Sequence, residues 1–256
     1  SDHESATRDE GLEKLRRGMW LMIRQGATEH NLAELLPLII ENEARSSRAM
    51  FVSDDLTAKH IHTKGHLDGI IRLAVQEGLS PLAALRMVTL SPACYFKLFD
   101  RGAIAPGYSA DLVLIDSLER CNVIHVWKKG KWTVRNGEVL NTPFERDRCY
   151  PTAAEALYIP SREELSIRSS RDKKIRVVGL IKGQVVTEHC IETPTVRRAE
   201  VIADSERDLA KIVVVDKNSG SKRFFSGFVK GLGLNKGALA SSVAHDAHNF
   251  IAAGMD

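Results

Sequence analysis

The sequence has few cysteines, and their spacing argues against a disulfide scaffold or a zinc ribbon. The four are Cys94, Cys121, Cys149 and Cys190, and no two of them form a CxxC pair. We therefore expect reduced thiols and a cytoplasmic protein. No apolar run reaches the roughly 18 residues that a membrane-spanning helix needs. We expect no signal peptide and no membrane partner.

An excess of charge of one sign is also lacking. Lysine and arginine number 36 against 33 aspartates and glutamates, which gives a formal charge of +3. The densest basic stretch, SIRSSRDKKIR (166–176), contains no aromatic residue, and this favours a solvated loop or edge. The composition therefore gives no support for a nucleic-acid partner.

What is present is the composition of a soluble globular protein. Apolar residues make up 43% of the chain and charged residues 27%. The 256 residues could form one large domain or two ordinary ones. The chain starts at SDHE without a methionine and ends on an apolar run, so we expect it to be part of a larger protein.

The first hundred residues alternate between apolar strands and helices. MWLMI (19–23) and AMFVS (49–53) lack polar alternation, which predicts buried strands of a parallel sheet covered on both faces. Residues 1–98 therefore predict βα units, too few for a complete barrel of roughly 250 residues. Helices are predicted over TRDEGLEKLRRG (7–18), NLAELLPLIIENEARSS (31–47), HLDGIIRLAVQEG (66–78) and LAALRMVTL (82–90). Pro37 predicts a later start or a kink in the second of these.

The character of the sequence changes at Arg101. RGAIAPGYSADLVLID (101–116) and VIHVWKKGKWTVRNGEVL (123–140) predict short strands, and the turns KKGK and RNGE predict hairpins. Residues 142–165 contain three prolines and are interpreted as a connector. Further β candidates follow it.

Two side chains could carry chemistry at strand ends. Asp54 directly follows the AMFVS strand, and at the mouth of a barrel it would lie where the active sites of such folds gather. By itself it could equally be a helix cap or a loop carboxylate, and His3 in SDHE could be a surface residue. Together, an imidazole and a carboxylate are ligands of a divalent metal that activates water. A carboxylate in that position can also transfer a proton.

Further histidines occur in two places. His60 and His62 are expected on an exposed loop, with His66 at the start of the next helix. The motif SSVAHDAHNF (241–250) could hold a second metal, but its spacing is not a standard one, and a polar loop that reaches a substrate is the favoured interpretation. The polar residues of this motif are His245, Asp246, His248 and Asn249.

Several of these motifs together resemble one family. They are SDHE, FVSDD, GHLDGIIRLAVQEGLSPLAALRMVTLSPA, DRGAIAPGYSADLVLID and SSVAHDAHNF. The sequence resembles the amidohydrolase superfamily and, within it, the prokaryotic-type adenine deaminases. The run from TLSPA to GAIAPGYSADLVL indicates the superfamily, whereas SDHE, DD, GHLD and VAHDAHN indicate the substrate.

The resemblance implies an α/β plus β fold: the C-terminal part of a (β/α)8 metal-dependent hydrolase barrel, a composite β-sandwich and a C-terminal β-rich (α+β) domain. SDHE would end barrel strand six, MWLMIRQG would be strand seven and FVSDD strand eight. The implied division is 1–98 for the last βα units, 99–141 for sandwich strands, 142–169 for a linker and 170–256 for a truncated adenine deaminase C-terminal domain.

The resemblance also implies a reaction, the hydrolytic deamination of adenine to hypoxanthine and ammonia. The implied cofactor is a divalent metal, manganese or iron, with zinc as a further option. His3 and Asp54 would be metal ligands, Asp54 would also take a proton from the attacking hydroxide, and Glu4 would protonate a ring nitrogen. The remaining expected substrate-binding residues are Asp55, His66, His245, Asp246, His248 and Asn249. Because the family's HxH pair is absent, we expect this chain alone to be inactive.

Two alternatives remain open at this stage. One is another amidohydrolase, either a cyclic amidase such as a dihydroorotase-like enzyme or a sugar-amide deacetylase. The other is a non-catalytic fragment that serves as an assembly or binding module. For the favoured function we expect adenine as the small-molecule partner and a homo-oligomer, a dimer.

Overall fold

The computed structural model describes residues 1–140, 158–170, 172–217, 222–245 and 247–255. The chain forms two compact units. The first comprises Ser1–Glu145 with Gly183–Val185, and the second comprises Arg146–Lys182 with Val186–Asp256. Most of the predicted connector at 142–165 lies outside the described residues.

The first unit contains the predicted βα units. Strands β1 (Leu21–Arg24) and β2 (Ala49–Val52) pair in parallel, with Leu21 opposite Ala49 and Arg24 opposite Val52. This pair confirms the expectation of parallel strands, while closure into a barrel stays a prediction. The helices are α1 (Arg8–Arg16), α2 (Leu32–Ile40), α3 (Ala58–Lys64), α4 (Leu67–Gln76), α5 (Pro81–Val88) and α6 (Leu90–Tyr95), with a 3-10 helix at Glu43–Arg48.

Local sequence signals fix where these helices begin. The Thr7 hydroxyl accepts a hydrogen bond from the backbone N–H of Glu10, and the Ser80 hydroxyl accepts one from Ala83 ahead of Pro81. Helix α2 begins at Leu32 and contains Pro37, so Pro37 does not delay the start of the helix, and the alternative of a kink stays a prediction.

One apolar core joins the strands and helices of the first unit. Its buried side chains include Leu21, Ile23, Leu35, Ile39, Phe51, Ile70 and Met87. Burial of a side chain of this size contributes roughly 1.5–3 kcal/mol. This core therefore fixes the carboxyl ends of β1 and β2, where the candidate site lies.

The predicted hairpins are confirmed as a four-stranded antiparallel sheet in the order β3-β4-β5-β6. The turn residues Lys129–Gly130 and Asn136–Gly137 all have positive φ, as hairpin turns of this kind require. The strands are β3 (Leu112–Ile115), β4 (Val123–Lys128), β5 (Lys131–Arg135) and β6 (Glu138–Val139).

The second unit is β-rich, as predicted. Its main sheet has the order β13-β14-β11-β12-β7-β8, and β9 and β10 form a separate hairpin. Val177, Val201, Leu209 and Phe228 form a core cluster in this unit. The strands are β7 (Ile175–Leu180), β8 (Thr187–Glu192), β9 (Thr195–Arg197), β10 (Glu200–Ile202), β11 (Leu209–Val215), β12 (Phe224–Lys230), β13 (Ala238–Ser241) and β14 (Phe250–Gly254), with a 3-10 helix at Ser205–Arg207.

The composition predicts reduced thiols and no membrane-spanning helix. Cys94, Cys121 and Cys190 are free thiols, and Cys149 lies outside the described part of the chain. No helix within the described ranges is long and apolar enough to cross a membrane.

Candidate functional site

Charged side chains meet where the two parallel strands end. Arg24 is the last residue of β1, and Asp54 and Asp55 follow β2. Parallel strands place their carboxyl ends at the same edge, so these side chains come together across a separation of 30 residues. Asp54 has a φ of 48°, in the left-handed region that residues other than glycine rarely adopt.

Arg24 is buried and joins two carboxylates. Its side chain is 1% exposed, and its Nη1 lies 2.7 Å from Oδ2 of Asp54 and 2.6 Å from Oε2 of Glu29. A buried guanidinium without such partners would cost several kcal/mol, and the two carboxylates offset that cost. Arg24 Nε has no hydrogen-bond partner among the residues that the structure describes.

A buried amide extends this set of contacts. Asn31 is fully buried, and its Oδ1 accepts a hydrogen bond of 3.4 Å from Nη2 of Arg24. Its Nδ2 donates to Oε1 of Gln184 at 2.9 Å, in the Gly183–Val185 segment that belongs to the first unit. We call Arg24, Glu29, Asn31, Asp54 and Gln184 the Arg24 network.

Asp55 closes the loop that follows β1. Its carboxylate accepts hydrogen bonds from the backbone N–H groups of Ala27 and Thr28, each at 2.8 Å, and from the Thr28 hydroxyl. Burial raises the pKa of Asp55, but the hydrogen bonds from Thr28 and Ala27 outweigh it and hold the pKa below its ordinary value. Both oxygens are therefore engaged by the loop, and a role of Asp55 in substrate binding stays a prediction.

The SDHE segment lies beside β1. Asp2 forms a parallel bridge with Leu21, so the segment continues the parallel arrangement on the other side of that strand from β2. His3 is half-exposed, and its Nε2 lies 3.9 Å from Oε1 of Glu4. His3 and Glu4 directly follow this isolated bridge, and their place at the end of a barrel strand stays a prediction.

The described residues offer few donors for the implied metal. Imidazole and carboxylate suit a divalent metal, but the described residues contain no group of three or more histidine, cysteine, aspartate or glutamate side chains that could hold one. Arg24 also occupies Oδ2 of Asp54. The described part of the chain does not complete a metal centre, and His3 and Asp54 as ligands stay a prediction.

The histidines that follow Asp55 are arranged differently from the expectation. His60 and His62 lie on helix α3, which Thr57 caps by accepting from the backbone N–H of His60, so the predicted loop is wrong. His66 is exposed and precedes α4, with its backbone N–H donating to Oδ1 of Asp68 at 2.8 Å. Substrate binding by His66 is not tested by these contacts.

The C-terminal histidine motif forms a loop between β13 and β14. The backbone N–H of Ala244 donates to the carbonyl of Asn249, and that of His248 donates to the carbonyl of Ala244, each at 2.8 Å. His248 has a φ of 54°. The predicted loop is confirmed for the described residues, which include His245 but not Asp246. Its contact with a substrate stays a prediction.

The sequence patterns predict Asp54 as a site residue, but they do not predict the other members of the Arg24 network. Arg24 is the last residue of an apolar strand, and no motif of the sequence marks it as functional. A usable signal existed, because arginine is rarely buried unless it is paired. An arginine at the end of an apolar strand therefore predicts a nearby carboxylate.

Comparison with known protein families identifies the family of this chain. The amidohydrolase family model matches residues 1–133, more than half of the chain. The chain belongs to the amidohydrolase family. Residues 184–256 of this amidohydrolase match the adenine deaminase C-terminal domain. Both matches confirm the resemblance described from the sequence motifs.

Two adenine deaminases are similar to this chain over its whole length. An adenine deaminase of Oleidesulfovibrio alaskensis is 40% identical over 259 residues, and one of Thermosipho melanesiensis is 38% identical over 256 residues. Each alignment covers 100% of this amidohydrolase but 44% of the relative, so the chain spans less than half the length of these curated relatives. A β-aspartyl dipeptidase structure from Fervidobacterium islandicum aligns with 56% of this chain and 41% of its own, at 24% identity and a TM-score of 0.44.

Proposed function

We propose that the whole protein catalyses hydrolytic deamination of adenine to hypoxanthine and ammonia. One observation carries this proposal: the same chain matches the amidohydrolase family and the adenine deaminase C-terminal domain. The relatives named adenine deaminase support the same substrate. The position of Asp54 at the carboxyl end of a parallel strand is consistent with this chemistry.

The proposed roles use carboxylates of this chain. Water adds to the purine carbon that bears the amino group, and Asp54 takes a proton from that water. Glu4 protonates a ring nitrogen. The carbon–nitrogen bond then breaks, and the proton held by Asp54 goes to the departing ammonia. The proton of the added hydroxyl returns to Glu4 as the carbonyl forms, so that adenine and water balance hypoxanthine and ammonia. Positioned proton transfer of this kind contributes about 10²–10⁴-fold to a rate.

Members of this family generally depend on a divalent metal. We propose manganese or iron for the whole protein, with zinc as a further option, where the metal would lower the pKa of water. His3 and Asp54 are the candidate ligands from this chain, and they do not complete a site among the described residues. No step above is therefore assigned to the metal.

We extend the proposal to binding and assembly. Asp55, His66, His245, Asp246, His248 and Asn249 remain the proposed substrate-binding residues. A cytoplasmic homodimer without a nucleic-acid or membrane partner is the proposed assembly, and light scattering after size-exclusion chromatography tests the subunit count.

The decisive experiment is ammonia release by the full-length protein loaded with iron(II) or manganese(II). We expect ammonia from adenine and little from adenosine or cytosine, which serve as controls. A cyclic amide and an N-acetylated sugar test the alternative amidohydrolase activities. Absence of ammonia from adenine after metal loading would overturn the proposal.

A further inference from the structure

Burial of Arg24 is costly, and stability alone does not account for it. Arg24 is among the largest fully buried side chains, on a strand whose Leu21 and Ile23 are completely buried. Replacing a buried ion pair by apolar side chains is often neutral or stabilising, because desolvation offsets the attraction between the charges. An apolar residue would therefore suit this strand, and the value of the guanidinium has to come from what it holds.

The geometry shows what Arg24 holds. Its Nη1 lies between Oε2 of Glu29 and Oδ2 of Asp54, at 2.6 and 2.7 Å. The cation offsets the repulsion between the two carboxylates. Asn31 supplies a further contact at 3.4 Å on Nη2, so the planar guanidinium is fixed from two sides.

Only one oxygen of Asp54 takes part in these contacts. Oδ2 accepts from Arg24, whereas Oδ1 accepts no hydrogen bond from the described residues. The Asp54 side chain is 21% exposed, so the carboxylate is partly accessible while Oδ2 is held by Arg24. The φ of 48° at Asp54 is also the kind of unusual backbone conformation that clusters at functional sites.

We propose that Arg24 is a positioning residue that binds Oδ2 of Asp54 and fixes the orientation of this carboxylate. This inference rests on the proposed function, because Asp54 is the carboxylate that transfers the proton there. Glu29 and Asn31 hold the guanidinium in turn. The proposal requires Arg24 to affect turnover more than substrate affinity.

The test uses Arg24→Met and Arg24→Lys in the full-length protein, with kcat and KM for adenine measured separately. Removing a group that orients an active-site side chain costs about 10–100-fold in activity. We expect that loss in kcat for Arg24→Met, a KM within about threefold of wild type, and a smaller loss for Arg24→Lys, which keeps one charged donor. Arg45→Met is the matched control, because Arg45 is a part-buried arginine of the same unit that donates to the Leu38 carbonyl at 2.8 Å.

Crystal structures of the same variants provide a readout that does not depend on activity. We expect the Asp54 carboxylate to rotate or lose order in Arg24→Met while the strands stay in place. If the wild-type protein does not deaminate adenine, the proposed function fails, and the crystal structures still decide whether Arg24 fixes Asp54.

The result that overturns the inference is also specific. It is a kcat for Arg24→Met that matches the Arg45→Met control, a loss confined to KM, or an Asp54 carboxylate that does not move. Where Arg24→Met does not fold, Arg24→Lys decides. A lowered kcat with a displaced carboxylate supports the inference, and an unchanged kcat or an unmoved carboxylate overturns it.

Discussion

Gly26 and Asp55 lie so close that a β-carbon at position 26 would overlap the Asp55 carboxylate. The backbone N–H of Gly26 donates to the carbonyl of Glu29 at 2.8 Å, which closes the turn that carries Glu29 back toward Arg24. The loop after β1 therefore packs directly against the loop after β2, because Gly26 has no side chain. Glu29 in the first loop and Asp54 in the second both contact the guanidinium of Arg24.

The first prediction concerns this close approach. Gly26→Ala should destabilise the first unit by about 1–3 kcal/mol, because the new methyl group forces Asp55 or the loop to move. Hydrogen exchange measured by mass spectrometry should increase in the segments around residues 24–31 and 52–56. Gly227→Ala is the control, since a β-carbon there meets its nearest neighbour, Ile212, at an ordinary 3.9 Å. Equal protection in wild type and Gly26→Ala would contradict the prediction.

The second prediction is a dependence of stability on pH. The hydrogen bonds from Thr28 and Ala27 hold the pKa of Asp55 below its usual 3.8 in the folded protein. The ionised carboxylate therefore stabilises the fold above pH 3.8, and this contribution is lost as the pH falls through the lower folded pKa. Asp55→Asn should destabilise the protein by roughly 1–3 kcal/mol at pH 7.

Urea unfolding of wild type and Asp55→Asn between about pH 7 and pH 3 measures this contribution. The difference in unfolding free energy should stay constant in the upper part of that range and shrink at the acid end. Asp9→Asn serves as the control, because Asp9 is an exposed carboxylate on α1. A difference that grows toward low pH would refute the assigned role of Asp55.

The third prediction concerns Asp54 itself. Asp54→Asn in the full-length protein should lower kcat for adenine by about 10²–10⁴-fold, because the amide cannot accept the proton. The fold should survive, since asparagine also tolerates positive φ and keeps an oxygen for Arg24. Circular dichroism and ammonia release measure the two effects, with Asp9→Asn as the control for activity. A turnover number near that of wild type would rule out proton transfer by Asp54.

Part of this fold could be predicted from the sequence because the signals are local. The apolar runs at 19–23 and 49–53 predict the paired strands, and the apolar periodicity predicts the helices that Thr7 and Ser80 cap. Asp54 was found because it directly follows such a run. These features depend on neighbouring residues, whose pattern is visible in the sequence.

The rest could not be predicted, because it depends on contacts between distant residues or lacks a pattern. Arg24 lies 30 positions from Asp54, and Asn31 lies 153 positions from Gln184. Helix α3 buries none of its residues, so His60 and His62 had no apolar periodicity around them, and the Thr57 cap was the only local signal.

The last prediction concerns the C-terminal loop. If this loop contacts adenine, removal of the His248 side chain should raise KM by about 2–10-fold, the effect of one lost hydrogen bond, with kcat changed less than about twofold. The variant to use is His248→Gly, because φ at this position is 54° and glycine adopts that conformation without strain. Asn136→Gly is the matched control, at a φ of 52° in the turn between β5 and β6. A KM for His248→Gly equal to that of the control would remove His248 from the substrate site and leave its motif a structural loop.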